Sequence, residues 1–133
     1  MCQRRLIKSI QRGFKMGNKL TVIVPFYNNE DTLERALNSI PLDDKTQLVL
    51  LDDGSTDNSW EIALKWWREH AIDGTASTIH RWDTNKGVAA TMNLGFKLAK
   101  GDWIVSLSAD DWYVNDFEPF KKYLNNENDL VFF

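Results

Sequence analysis

Val49-Leu50-Leu51-Asp52-Asp53-Gly54-Ser55-Thr56-Asp57 is the stretch that decides the fold of this chain. Three apolar residues run straight into two carboxylates and a glycine. That is the pattern of a buried parallel strand ending in a polar turn, and Thr56 or Asp57 is placed to cap a following helix. In an open α/β sheet, ligands bind outside the carboxyl ends of the strands. Two acids there add little to folding but suit a polar ligand, such as a nucleotide base or a ribose hydroxyl.

The flanking sequence repeats the motif. Upstream, Leu20 to Pro25 is a β-rich run stopped by proline. Asn29 or Asp31 can then cap a helix whose apolar positions Leu33, Ala36, Leu37 and Ile40 recur at helical spacing, with Pro41 after its end. Gln47 to Leu51 is the second strand. Residues 57–70 read as a helix with Ile62, Leu64, Trp66 and Trp67 partly buried, and Thr78 to Arg81 as a weaker strand. Gly87 to Lys100 reads as a third helix, closed by Gly101. Trp103 to Leu107 is a fourth strand running into Ser108-Ala109-Asp110-Asp111, a last helix is expected over 116–124, and Leu130 to Phe133 begins another strand. Strands alternating with helices predict an α/β fold, a doubly wound, mainly parallel sheet with flanking helices. Right-handed crossovers bring three polar clusters to one edge of it: Tyr27-Asn28-Asn29, Asp52-Asp53 and Asp110-Asp111.

Composition bounds the function. The chain has 133 residues, 43% of them hydrophobic, with six tryptophans and a net charge of −3. That is one domain or a piece of one. No basic stripe with interleaved aromatics follows residue 19, which argues against a nucleic-acid partner. The single cysteine, Cys2, makes no internal disulfide and fits a reducing compartment. The first nineteen residues differ: Arg4, Arg5, Lys8, Arg12, Lys15 and Lys19 alternate with Leu6, Ile7, Ile10 and Phe14. Residues 1–19 are expected to be a basic leader, disordered or a surface helix, with Met1 or Met16 as the start. A basic amphipathic helix would lie on a membrane surface, so the expected location is cytoplasmic or at the inner face of a membrane.

The clusters, in this order, resemble family 2 glycosyltransferases of the GT-A fold. The resemblance rests on Val22-Ile23-Val24-Pro25-Phe26-Tyr27-Asn28 with Asn29-Glu30, and on Leu51 to Ser59. It continues in Asn85-Lys86-Gly87, Asn93-Leu94-Gly95, Ala99-Lys100-Gly101 and Ser108-Ala109-Asp110-Asp111, and covers residues 20–133. It implies the Rossmann-like nucleotide-binding half of that fold, and an enzyme moving a sugar from a nucleoside diphosphate sugar, a UDP-sugar here, to a saccharide or lipid-linked acceptor hydroxyl with inversion. By position, Pro25, Phe26 and Tyr27 would line the base pocket, with Tyr27 stacking on the ring, and Asp53 would contact base or ribose. Asp110 falls at the metal-proximal carboxylate, with Asp111 beside it, for Mg²⁺ or Mn²⁺. Hard divalent cations take oxygen ligands, and one or two carboxylates suffice when phosphates and water complete the shell.

Three departures stand out. The first acid of the family's acidic motif is Ser108, which can reach a ribose or metal-bound water but carries no charge. Thr91-Met92 replaces the usual Ala-Arg before Asn93. The resemblance also implies that the acceptor site and catalytic base lie beyond Phe133, so residues 20–133 read as a donor-binding half, truncated at its C-terminus, inactive alone and prone to self-association through an uncovered sheet edge. A non-catalytic nucleotide-sugar-binding module is the alternative. A haloacid-dehalogenase-type phosphatase is excluded because Leu51 stands where its nucleophilic aspartate would be, and a dinucleotide-binding dehydrogenase because no Gly-x-Gly-x-x-Gly follows the first strand. Asp52 is expected to hold its turn through backbone hydrogen bonds, Gly95 to pack a helix closely on the sheet, Trp66, Trp67 and Trp103 to be core or partner surface, and Trp112 either to border the sugar pocket or to cover the sheet.

Overall fold

The computed structural model describes residues 5–8, 20–114 and 130–132. Its elements are β1 (Arg5–Lys8), β2 (Leu20–Phe26), α1 (Leu33–Asn38), β3 (Thr46–Asp52), α2 (Ser59–His70), β4 (Thr78–Arg81), α3 (Val88–Leu98), β5 (Trp103–Ser106) and β6 (Leu130–Phe132). The sheet order is β4-β3-β2-β5-β1-β6. β4, β3, β2 and β5 are parallel, with Val24 opposite Leu50 and Ile23 opposite Ser106. β1 is antiparallel to both β5 and β6. The expected α/β sheet is therefore present and mainly parallel. Arg5–Lys8 is a strand within it, where helical spacing suggested a leader or surface helix. Four residues, two apolar between two basic, are too few to fix a period, and pairing with β5 and β6 selects the extended form. The helix expected over 116–124 lies outside the described residues.

Strand geometry distributes the core. Successive side chains point to opposite faces, so Leu20, Val22, Val24 and Phe26 join Leu48, Leu50, Trp103 and Val105 beneath α1 and α2, with Leu33, Leu37, Ala63 and Trp66. Ile23, Val49, Leu51 and Ile104 form the opposite face with Ala99, against Met92, Leu94 and Leu98 of α3. Helices on both faces make the sheet doubly wound. Trp66 and Trp103 are core, as expected, and Trp67 packs partly buried against the same cluster.

The α3 face is pinned at both levels of the sheet. Gly95 packs on it so closely that a Cβ there would lie 2.8 Å from Ile23 Cγ2 and 3.1 Å from Leu51 Cδ1, which is the close approach expected of that glycine. At the other edge, buried Gln47 donates from Nε2 to the Ala76 and Leu98 carbonyls and accepts at Oε1 from Thr21 Oγ1 and the Lys100 N–H. α3 stops at Leu98, short of Gly101, because the backbone turns extended at Ala99.

The N-terminal caps differ from expectation. The Asn29 carbonyl, and no side chain, accepts the N–H groups of Thr32 and Leu33 (3.0 and 2.9 Å), since Asn29 Oδ1 is engaged by the Tyr27 N–H. Asp57 does serve the next helix, accepting the Ser59 N–H at 2.9 Å, while the residue at the cap position itself is Asn58.

Candidate functional site

β2, β3 and β5 all end at the same edge of the sheet, and the loops that follow form the site. Two of them are laced together. Asn28, at φ +52°, aims Oδ1 at the Thr56 N–H (2.8 Å) and the Asp57 N–H (3.3 Å), and donates its own N–H to Ser55 Oγ. The Asn29 N–H reaches Ser59 Oγ at 2.7 Å, and Glu30 Oε2 accepts from the Asn58 backbone and side chain, both at 3.0 Å. Much of the polar sequence after β2 and β3 therefore serves to fasten one loop to the other. Asp57 shares in this: slight burial raises its carboxyl pKa, but hydrogen bonds from Ser59 and from the Glu30 N–H outweigh that and hold it below its ordinary value.

The two acids after β3 part company. Asp52 is wholly buried, accepts the Ser55 N–H at 2.9 Å and pairs with Arg81 Nε at 3.2 Å, while Arg81 also donates to the Ser55 carbonyl. It holds the turn, as its position suggested. Asp53 accepts the backbone N–H groups of Lys86 (2.7 Å) and Gly87 (3.0 Å), one on each oxygen. It thereby ties the 82–87 loop and the start of α3 to the end of β3. Gly54 makes that approach possible, because a Cβ at this residue (φ +77°) would stand 2.6 Å from the Thr84 carbonyl carbon. Each carboxylate oxygen keeps a further lone pair, so loop anchoring leaves Asp53 able to accept from a ligand.

Between these loops and α3 lies a cavity of about 180 Å³ lined by Pro25, Phe26, Tyr27, Asn29, Asp53, Val88, Thr91, Ser108 and Ala109. It brings together Pro25, Phe26, Tyr27, Asp53 and Ser108, five of the residues singled out as donor-binding. Asp110 and Asp111 are on the turn that follows Ser108 and do not line it. Asp110 is exposed and accepts a short hydrogen bond from Ser108 Oγ (2.5 Å); the Asp111 N–H donates to the Ser108 carbonyl. Among the described residues no three acidic, histidine or cysteine side chains cluster as a metal cage. Two adjacent carboxylates beside an open cavity still match the donor set of Mg²⁺ or Mn²⁺ carried by a ligand's phosphates. Val88 drew no notice in the sequence, and Thr91 and Ala109 stood there only within motifs and not as site residues. The first two show only a helix period, and their place in the wall depends on how α3 docks.

Trp112 stands outside this cavity, 44% exposed, with the Arg35 guanidinium 3.7 Å over its ring. With the Tyr113 N–H donating to Ser39 Oγ at 3.0 Å, it moors the segment after the two acids to the end of α1.

Comparison with known proteins agrees with this architecture. Residues 21–133 match the sequence profile of glycosyl transferase family 2, and the chain belongs to that family. An uncharacterized glycosyltransferase of Haemophilus influenzae is 37% identical over 110 residues, covering 80% of this chain and 41% of that protein. Among solved structures, the mannosyltransferase PcManGT from Pyrobaculum calidifontis, in complex with GDP-Man and Mn²⁺, superposes with a TM-score of 0.65 at 28% identity, over 73% of this chain and 29% of that one. S. aureus TarS 1-349 in complex with UDP-GlcNAc gives 0.64 at 28% identity, over 79% and 30%. The chain spans well under half the length of the curated relatives it matches, 41% of one and 16% of another. No helix among the described residues is long and apolar enough to cross a membrane.

Proposed function

We propose that this chain carries the donor-binding side of an enzyme that transfers a sugar from a nucleoside diphosphate sugar to a saccharide or lipid-linked acceptor hydroxyl, with inversion. The observation that carries the reading is the convergence of Pro25, Phe26, Tyr27, Asp53 and Ser108 on one cavity at the carboxyl edge of the sheet, beside the Asp110–Asp111 turn. Pro25, Phe26, Val88 and Ala109 supply apolar walls for a planar base, and Tyr27, half exposed at the rim, supplies a stacking face. Asp53 and Ser108 supply acceptors for N–H and hydroxyl groups. The complexes of PcManGT with GDP-Man and Mn²⁺ and of TarS with UDP-GlcNAc support a ligand of this class.

Asp110, with Asp111 second, would hold Mg²⁺ or Mn²⁺. Such a cation, when bound, neutralises charge on the diphosphate leaving group. Ser108 orients the Asp110 carboxylate by its hydrogen bond, a role for which a hydroxyl serves where a second acid would add repulsion. Asp53 can accept from a base N–H or from ribose hydroxyls, and together with Tyr27 it suggests a uridine-type pocket, so UDP is the expected nucleotide.

Titration of the chain with UDP, GDP and dTDP in Mn²⁺ tests the reading. UDP should bind tightest, and Asp110→Asn should remove the part of its affinity that chelation of Mn²⁺ removes from the parent. Equal millimolar binding of all three nucleotides would overturn base selection by this cavity. Affinity that ignores chelation in the parent would overturn the role of Asp110.

A further inference from the structure

Thr91 is wholly buried and lines the donor cavity, yet its Oγ1 has no hydrogen-bond partner. A helical threonine often returns its hydroxyl proton to the carbonyl four residues earlier. Here the Gly87 carbonyl takes the Thr91 backbone N–H at 3.1 Å and the hydroxyl is left over. Buried hydroxyls are rarely left in that state, because their desolvation then goes uncompensated. Valine has the same shape and would avoid the cost. A hydroxyl in this place has a reason if its partner arrives with the ligand.

The surroundings say what kind of partner. Asn29 Oδ1, both oxygens of Asp53 and the Ser108 hydroxyl each already hold a hydrogen bond within the protein, whereas the Thr91 hydroxyl holds none. Its position is set by Gly95, one turn later on the same helix face, whose contact with Ile23 and Leu51 draws α3 onto the sheet. Val88, one turn earlier and 69% exposed, forms the rim. The cavity around Thr91 is walled by Pro25, Phe26, Val88 and Ala109, and no lysine or arginine lines it. A phosphate would find no basic side chain in that lining. With Asp53 as the charged residue in its lining, the cavity favours an uncharged group at Thr91 that can donate or accept one hydrogen bond, and a hydroxyl can answer either need.

Resting on the nucleotide-binding reading above, we propose that Thr91 Oγ1 hydrogen-bonds the edge of the nucleobase and is a specificity-determining residue of the donor site.

Thr91→Val and Thr91→Ser, titrated with UDP and with inorganic pyrophosphate in Mn²⁺, test it alongside thermal unfolding. Thr91→Val should weaken UDP about tenfold, the value of one hydrogen bond lost from a buried site. It should leave pyrophosphate affinity unchanged and unfold at or above the parent's temperature, since the unpaired hydroxyl is gone. Thr91→Ser should retain UDP affinity to within about threefold. UDP binding by Thr91→Val equal to the parent's overturns the proposal while leaving the donor reading in place. Equal losses for UDP and pyrophosphate, or a loss in Thr91→Ser as large as in Thr91→Val, overturn it too, because each points to a displaced helix. A parent that binds none of UDP, GDP and dTDP removes the donor reading and this inference together.

Discussion

Asp53→Asn separates the two duties of the aspartate at the end of β3. In the parent, each carboxylate oxygen accepts one backbone N–H, from Lys86 at 2.7 Å and from Gly87 at 3.0 Å, and the side chain is only 5% exposed. Asparagine keeps one acceptor and turns an NH₂ group toward the other N–H. One charge-assisted bond is lost, worth about 1.5–3 kcal/mol, and the survivor becomes an ordinary neutral bond of about half the strength. Lys86 is exposed and Gly87 half-buried, so water can reach the released N–H, which places the net cost near the lower end, about 2 kcal/mol. Against a total of roughly 5–15 kcal/mol that is a measurable fraction. Urea unfolding of the two proteins gives the difference, and amide hydrogen exchange locates it: protection at Lys86 or Gly87 should fall with little change in the β2–β3 ladder. Unfolding within about 0.5 kcal/mol of the parent, with both amides still protected, would refute the view that Asp53 anchors this loop.

Gly95→Ala sets helix propensity, a gain of about 1 kcal/mol, against overpacking on Ile23 and Leu51, which costs about 1–3 kcal/mol; with a contact of 2.8 Å to Ile23 Cγ2 the overpacking should win, and a raised unfolding temperature would contradict it. The lowered carboxyl pKa of Asp57 predicts a pH dependence. A carboxyl depressed by folding contributes stability that is present above its ordinary value of 3.8 and lost as pH falls through the folded value. Urea midpoints measured from pH 6 down to about pH 3 should therefore fall less steeply for Asp57→Asn than for the parent, and parallel curves would count against the bonds drawn from Ser59 and Glu30.

The amino-acid sequence by itself determined the strand–helix alternation, the strands over Leu20–Pro25 and Gln47–Leu51, each within a residue of its observed ends at both termini, and the edge of the sheet where the polar loops gather. Apolar runs ended by proline or by acid-glycine turns carry that information locally. It also marked Pro25, Phe26, Tyr27, Asp53 and Ser108, which the fold brings to one cavity. Tertiary structure alone decided how those groups are used. That both oxygens of Asp53 hold the 86–87 backbone, that Asn28 and Glu30 fasten the turn after β3, and that Arg35 covers Trp112 are contacts between residues 28 to 77 positions apart. The place of Arg5–Lys8 between β5 and β6 and the burial of Thr91 beside the cavity are of the same kind. Hydrophobic period is a property of a few adjacent residues, whereas a hydrogen-bond partner is chosen only when the helices dock on the sheet, and the depth at which α3 docks was set by the missing side chain of Gly95.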